Sequence, residues 1–208
     1  MIDMAYLVFV GAAINLFGGF AYIRETLVGR TRPNRISWLL WSIAPMIAAA
    51  AGIVKGVGLA VVPVFMSGFI PLLVFLASFL NRKGYWRLQT SDYACGLFSL
   101  LALVLWGITK EPNIAIVFAI ASDLLAAVPT IMKSWSHPES ESAVAFLTGL
   151  LNALTGFAVV ESWNFSGLAF PVYLSVVNMT LILVIERRRI FFWRNPVSGV
   201  ADISINDV

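Results

Sequence analysis

Charge is what this chain has least of. Asp, Glu, Lys and Arg make up only 12% of its 208 residues, while hydrophobic residues make up 60%. Soluble domains carry roughly 25% and roughly 45–50%. A soluble chain this apolar could not cover its surface with polar groups, which leaves the membrane class. Cysteine occurs once, at Cys95 in an apolar run. No internal disulfide can form, and the thiol reads as a small buried hydrophobe. Histidine also occurs once, at His137 beside Pro138, and one imidazole cannot assemble a metal site. There is no His-Glu-x-x-His, phosphate loop, cysteine pair or serine-triad pattern. These absences point away from an enzyme and from any metal or other cofactor. The opening residues Met1-Ile2-Asp3-Met4 lack a basic n-region, so the first apolar stretch is expected to stay in place as a helix.

What the chain has in abundance is long apolar runs. Seven can be read, at about 4–24, 36–54, 58–80, 92–109, 113–133, 143–160 and 167–186. Each has the length that crosses a ~30 Å hydrocarbon layer at 1.5 Å per residue. Unpaired backbone is too costly in lipid, so every span must be helical. The fourth carries the weakest pattern, with Asp92 and Gly96 near its start.

The few cations sort themselves by side. With the N-terminus outside, the inner connections and span ends receive Arg24, Arg30, Arg32, Arg35, Arg82, Lys83, Arg87, Lys133, Arg187, Arg188, Arg189 and Arg194; the outer ones receive only Lys55 and Lys110. That segregation requires an odd number of spans and places the C-terminus in the cytoplasm of a multi-pass plasma (inner) membrane protein. Trp38, Trp86, Trp135 and Trp193 fall near the inner boundary and Trp106 and Trp163 near the outer one, as interface anchors do. Arg187-Arg188-Arg189 directly follows a span and reads as a topology signal beside lipid, not a nucleic-acid patch.

An internal repeat organises the spans. Pro63-Val64-Phe65-Met66-Ser67 of the third matches Pro171-Val172-Tyr173-Leu174-Ser175 of the seventh. At the same separation Asn15, Gly18, Gly19 and Tyr22 meet Asp123, Ala126, Ala127 and Thr130. After a three-residue shift, Pro33 to Ser37 meets Pro138 to Ser142. The expected fold is therefore an all-α membrane protein of seven transmembrane helices, two parallel three-helix repeats joined by a linker helix. Residues 1–88 form the first repeat, 89–110 the linker, 111–190 the second repeat and 191–208 a cytoplasmic tail. Parallel repeats of this kind occur in transporters, with the binding site between them at the midplane.

This three-plus-one-plus-three arrangement resembles the SWEET and PQ-loop membrane transporter superfamily. The closest local likeness is Val128-Pro129-Thr130-Ile131-Met132-Lys133-Ser134 followed by Pro138 and Ser142. Thr130 stands where the motif has glutamine, and Ala21-Tyr22 stands for the pair in the first repeat. The resemblance covers roughly residues 4–190. It implies a sugar-like solute and a pocket-facing asparagine on the last helix of the unit, which Asn178 matches.

Polar residues inside the spans nominate a site. Asp123 lies near the middle of the fifth span, where a carboxyl costs a few kcal/mol and normally faces the bundle interior or a cavity. It is a candidate proton carrier, with Asn15 its non-titrating counterpart or hydrogen-bond partner. Each shares a stripe at i, i+3, i+4 and i+7 with small residues that permit close helix approach. Asn178 and Asn152 carry amides suited to a neutral polar solute, Trp41 a ring that could stack on it, and Ser67 and Ser175 hydroxyls at matched positions. Pro45 and Pro129 interrupt their helices and are hinge candidates. Seven spans also suit a retinal protein, but Leu168 to Glu186 contains no lysine for a Schiff base. The expected function is alternating-access transport of a small polar, neutral solute, with proton coupling through Asp123. Its partners are that solute and the lipid bilayer, and a homo-oligomer stays open. The rival is a non-transporting receptor or assembly protein of the same fold, for which the short loops leave little surface.

Overall fold

The structure is a computed structural model that describes residues 6–54, 56, 58–81, 86–109, 111–160 and 163–194. Among these the chain forms seven α-helices and no strand. They are α1 Leu7–Leu27, α2 Arg35–Val54, α3 Val61–Ala77, α4 Thr90–Ile108, α5 Pro112–Ser136, α6 Ala143–Gly156 and α7 Phe165–Arg194. Short 3-10 turns lead into α3, join α5 to α6 and extend α6. Four helical stretches, Leu7–Leu27, Gly58–Ala77, Ile116–Ser136 and Gly167–Ile190, are long and apolar enough to cross a membrane. Lys55, Arg82, Lys83 and Lys110, the side chains of Trp106 and Trp193, and the tail from residue 195 lie outside the described residues.

The distribution of polarity is inverted relative to a water-soluble bundle. Phe17, Phe20, Leu80, Ile108 and Leu183 point outward with more than half their surface exposed, while Asn15, Ser42, Ser99, Asp123 and Asn152 are buried. Apolar surface on that scale is stable only against hydrocarbon, so the chain is a membrane protein.

Packing follows the small and polar residues. Antiparallel α1 and α6 meet closely because a Cβ added at Gly11 or Gly18 would collide with Thr155 or Thr148, and one at Gly19 would strike Ile70 of α3. Helix α3 lies between α1 and α2, and α7 lies between α5 and α6. Helix α4 packs chiefly on α5 and shows most of its large side chains outward. It is fastened by a reciprocal clasp. Ser99 Oγ donates to Ser122 O at 2.7 Å, and Ser122 Oγ donates to Ser99 O at 2.9 Å. Such contacts substitute for the hydrophobic driving force that lipid removes.

Several boundaries differ from the sequence expectation. Helix α7 does not end at 186 and yield to a tail at 191, but continues through Arg194. Glu and Arg are good helix formers, and Glu186 pairs with Arg189 at i, i+3, so the helix persists beyond the apolar segment. Helix α1 likewise runs three residues past 24.

Candidate functional site

Helix polarity brings Arg24, Arg30, Arg32, Arg35, Lys133 and Arg187 to one end of the bundle, the basic end. A cavity of about 80 Å³ lies in the middle, walled by α1, α2, α3, α5, α6 and α7. Asn15, Trp41, Pro45, Ser67, Asp123, Asn152 and Asn178, all nominated from sequence, line it. Asn15 and Asp123 reach it because their stripes with Gly18, Gly19 and Tyr22, and with Ala126, Ala127 and Thr130, are buried throughout. Ser175 and Pro129 are not on its wall. The Ser175 hydroxyl turns back to donate to Pro171 O at 2.8 Å, closing on its own helix.

The polar contacts assign each group a state. Tyr173 OH donates to Asp123 Oδ2 at 2.6 Å, and Trp41 Nε1 donates to the Asp123 backbone oxygen at 3.2 Å. The carboxyl is thus held by α7 and its peptide by α2. Asn152 Nδ2 donates to Pro63 O at 3.1 Å, leaving Asn152 Oδ1 buried without a partner. Asn178 Nδ2 donates to Leu174 O at 2.8 Å, and its Oδ1 lies over Gly149, where an added Cβ would sit 2.9 Å away. Ser67 Oγ donates to Val64 O at 2.7 Å. Proline at 45 and 71, inside α2 and α3, withdraws the amide donors that Trp41 O and Ser67 O would otherwise receive.

The two ends of the cavity differ. Away from the basic end a second hollow of about 410 Å³ shares Ser67, Asn152 and Leu174 with it, and continues past Pro63, Val159 and Phe170. Toward the basic end an aromatic plug closes the bundle. Trp38 and Trp41 meet edge-to-face at 5.4 Å, Phe146 packs on both, and Tyr22 lies 4.9 Å from Trp38. Trp38 is therefore not an interface anchor; it is 3% exposed. It shares the i, i+3, i+7 face of α2 with Trp41 and Pro45, which α2 turns inward.

Beyond the plug lies a charged lock that the sequence reading did not find. Tyr22 OH donates to Glu141 Oε2 at 2.5 Å, and Lys133 Nζ pairs with Glu141 Oε1, both charged side chains being fully buried. Lys133 Nζ also donates to Arg32 O at 2.5 Å and faces the Trp86 ring. The loops close over it through Arg32 N to Ser140 O at 2.9 Å. Arg187 belongs to the same end, donating to Ser134 O, Trp135 O and Val184 O, so it also caps α5. Nothing in spacing along the chain marks Lys133 and Glu141 as partners of Tyr22, 119 residues from Glu141. Tyr173 did leave a signal. In the repeat it replaces Phe65 just as Asp123 replaces Asn15, so the carboxyl and its hydroxyl donor changed together.

Among the described residues no three His, Cys, Asp or Glu side chains gather into a metal-binding group. The arrangement sets buried polar groups around a small central cavity, with a hollow beside it on one side and an aromatic and charged closure on the other. Comparison of this chain with protein-family models, with curated proteins and with solved structures returns no match.

Proposed function

We propose that the protein is a membrane transporter that carries a small polar solute by alternating access. The observation that supports this most is the central cavity itself. It is walled by helices from both ends of the chain, lined by the buried polar residues, adjoined by an outer hollow that shares Ser67, Asn152 and Leu174 with it, and backed by an aromatic cluster on the other side. A receptor or assembly protein would have no need of that asymmetry.

In this reading α1–α3 and α5–α7 are equivalent units of the same orientation, joined by α4 and related by an axis along the membrane normal. The packing supports it. The third helix of each unit lies between the other two, and the contacts of α1 with α6 and of α2 with α5 exchange under the same operation. The basic end faces the cytoplasm and the N-terminus lies outside, as the distribution of Lys and Arg favours. The structure then corresponds to an outward-facing state. Its inner gate is the Trp38, Trp41 and Phe146 plug backed by Tyr22, Glu141 and Lys133. Rocking one unit against the other would break that lock and close the outer hollow, with Pro45 beside the cavity as a hinge candidate.

A ligand screen tests this. Purified protein in detergent is melted in the presence of sugars, polyols, amines, amino acids and nucleosides at millimolar levels, with Asn178→Ala in parallel. A solute at 100 times its dissociation constant adds about 2.7 kcal/mol of stability. Stabilisation of the wild type that is lost in N178A supports transport through the central cavity. A library in which no solute shifts the wild type counts against it.

A further inference from the structure

We propose that the cavity takes a primary ammonium cation lacking a carboxylate, and that this cation and a proton alternate on Asp123. The proposal rests on the transporter reading above and departs from the neutral solute that the family resemblance implies.

The first ground is charge. Among the described residues Asp123 is the only charged one on the cavity wall. Helices α2, α4 and α7 pack against α5. Near Asp123 they present Trp41, Ser99 against the adjacent Ser122, and Tyr173. The ionisable residues Asp92, Tyr93 and Cys95 lie in the first turns of α4, toward the basic end. Lys133 is ten residues along α5, about 15 Å away by helix rise, and is already paired with Glu141. Among the described residues no protein cation reaches this carboxyl. An isolated carboxylate is costly in such surroundings, so the site is neutral in two ways only, with a proton or with a bound cation. The absence of Lys, Arg or His on the wall equally disfavours a solute with a carboxylate of its own.

The second ground is the hydrogen-bond inventory. Asn152 Oδ1 is a buried acceptor without a partner, in a residue 2% exposed on the wall shared by both hollows. Trp41 O and Ser67 O lack their helical donors. The wall also offers donors, Trp38 Nε1 set inward against Tyr22 and the Asn15 amide, whose oxygen is a further acceptor. A sugar hydroxyl needs donors and acceptors in balance, whereas an ammonium group brings three donors and no acceptor. The indole of Trp41, whose Nε1 is occupied, and the ring of Phe146 add faces that attract a cation.

Size is the third. The central cavity, about 80 Å³ against about 410 Å³ for the outer hollow, suits the small ammonium head. The apolar remainder would lie in the outer hollow among Val159 and Phe170.

The exchange balances without a co-reactant. The cation enters from outside as the Asp123 carboxyl releases its proton, and a proton returns to the carboxylate when the cation leaves inside.

The test uses n-butylammonium, with n-butanol and glucose as neutral comparators, on the full-length protein in weakly buffered detergent between pH 5 and pH 8. Melting temperature and tryptophan fluorescence report binding, and a soluble pH dye reports proton release. Butylammonium is expected to stabilise the wild type and n-butanol not to. Its apparent Kd should rise by up to about tenfold per unit of falling pH where proton and cation compete, with release of up to one proton per protein bound. Asp123→Asn is expected to abolish both effects. Should D123N fail to fold, the wild-type pH competition decides alone, and Tyr173→Phe should displace the pH at which it sets in. Binding of butylammonium that ignores pH, or that survives in D123N, overturns the proposal. If glucose stabilises wild type and D123N alike while butylammonium does nothing, the cation falls and the transporter stands. If no ligand in this set or in the wider screen acts, both fall.

Discussion

Helices α1–α3 and α5–α7 share a packing scheme and differ in chemistry. Where α1 has Asn15 and α3 has Phe65, α5 has Asp123 and α7 has Tyr173, each pair separated by the same interval. The first half keeps a neutral amide beside glycines that let α6 approach; the second holds a carboxyl beside the hydroxyl that donates to it. The basic end repeats the contrast. Lys133 in the second half forms a buried ion pair, while the first-half position at the same interval is Glu25. The second half thus sets its buried cation beside a carboxylate, as the cost of several kcal/mol for an unpaired charge in a low-dielectric bundle favours, whereas Glu25 of the first half keeps one buried carboxyl oxygen without a partner.

Substitutions can break this comparison, beginning with the largest effect. Glu141→Ala strands Lys133 in the closed end and removes the acceptor of Tyr22. A loss of about 3–5 kcal/mol is expected for a buried pair broken on one side, read by denaturation in detergent. The double change K133M/E141L should recover most of it. If E141A costs nothing, the lock is not a structural element.

Asn15→Asp gives the first half the carboxyl of the second without its hydroxyl. Insertion scales place the cost near 2.5–3.5 kcal/mol, seen as lower expression and melting temperature. Adding Phe65→Tyr should return about 1 kcal/mol if the two halves are equivalent. No recovery would show that the hydroxyl of the second half depends on local geometry that α3 lacks.

Tyr173→Phe and Asp123→Asn convert the second half toward the first. Tyr173→Phe removes a hydrogen bond worth about 0.5–1.5 kcal/mol, and Asp123→Asn weakens it by replacing a carboxyl acceptor with an amide oxygen. The double variant should be less destabilised than the sum of the singles, since both act on the same contact. Additive losses in the cycle would mean that the two side chains do not interact in solution.

The smallest effect concerns α4, which packs chiefly on α5. Ser122→Ala leaves Ser99 Oγ its bond to Ser122 O, so about 0.6 kcal/mol is expected, the average for hydrogen bonds between membrane helices. A much larger loss would show that the clasp holds α4 by more than one such bond.

The cavity was legible in large part because intramembrane polar residues are expensive, and chains retain them where they face one another. Asn15, Asp123, Asn152 and Asn178 could be found for that reason, and they meet at the same cavity. Trp38 was misplaced because an aromatic near a helix end fits either the lipid boundary or the core, and only the turn of α2 about its axis separates them. Ser175 was misjudged because a hydroxyl in a helix can satisfy itself on the preceding turn.

By itself the sequence determined that this is a helical membrane protein, where its apolar helices fall, which end collects the cations, and that a carboxyl lies deep inside. All of these follow from local composition and from the cost of exposing backbone or charge to lipid. Only the tertiary structure decided that Tyr173 holds that carboxyl, that Tyr22, Glu141 and Lys133 close one end, and that the other end stays hollow. Those facts depend on contacts between residues 50 to 119 positions apart, and on glycines whose missing side chains set how near two helices come. Helix periodicity carries the direction in which a side chain points, but not the identity of the group waiting across the interface.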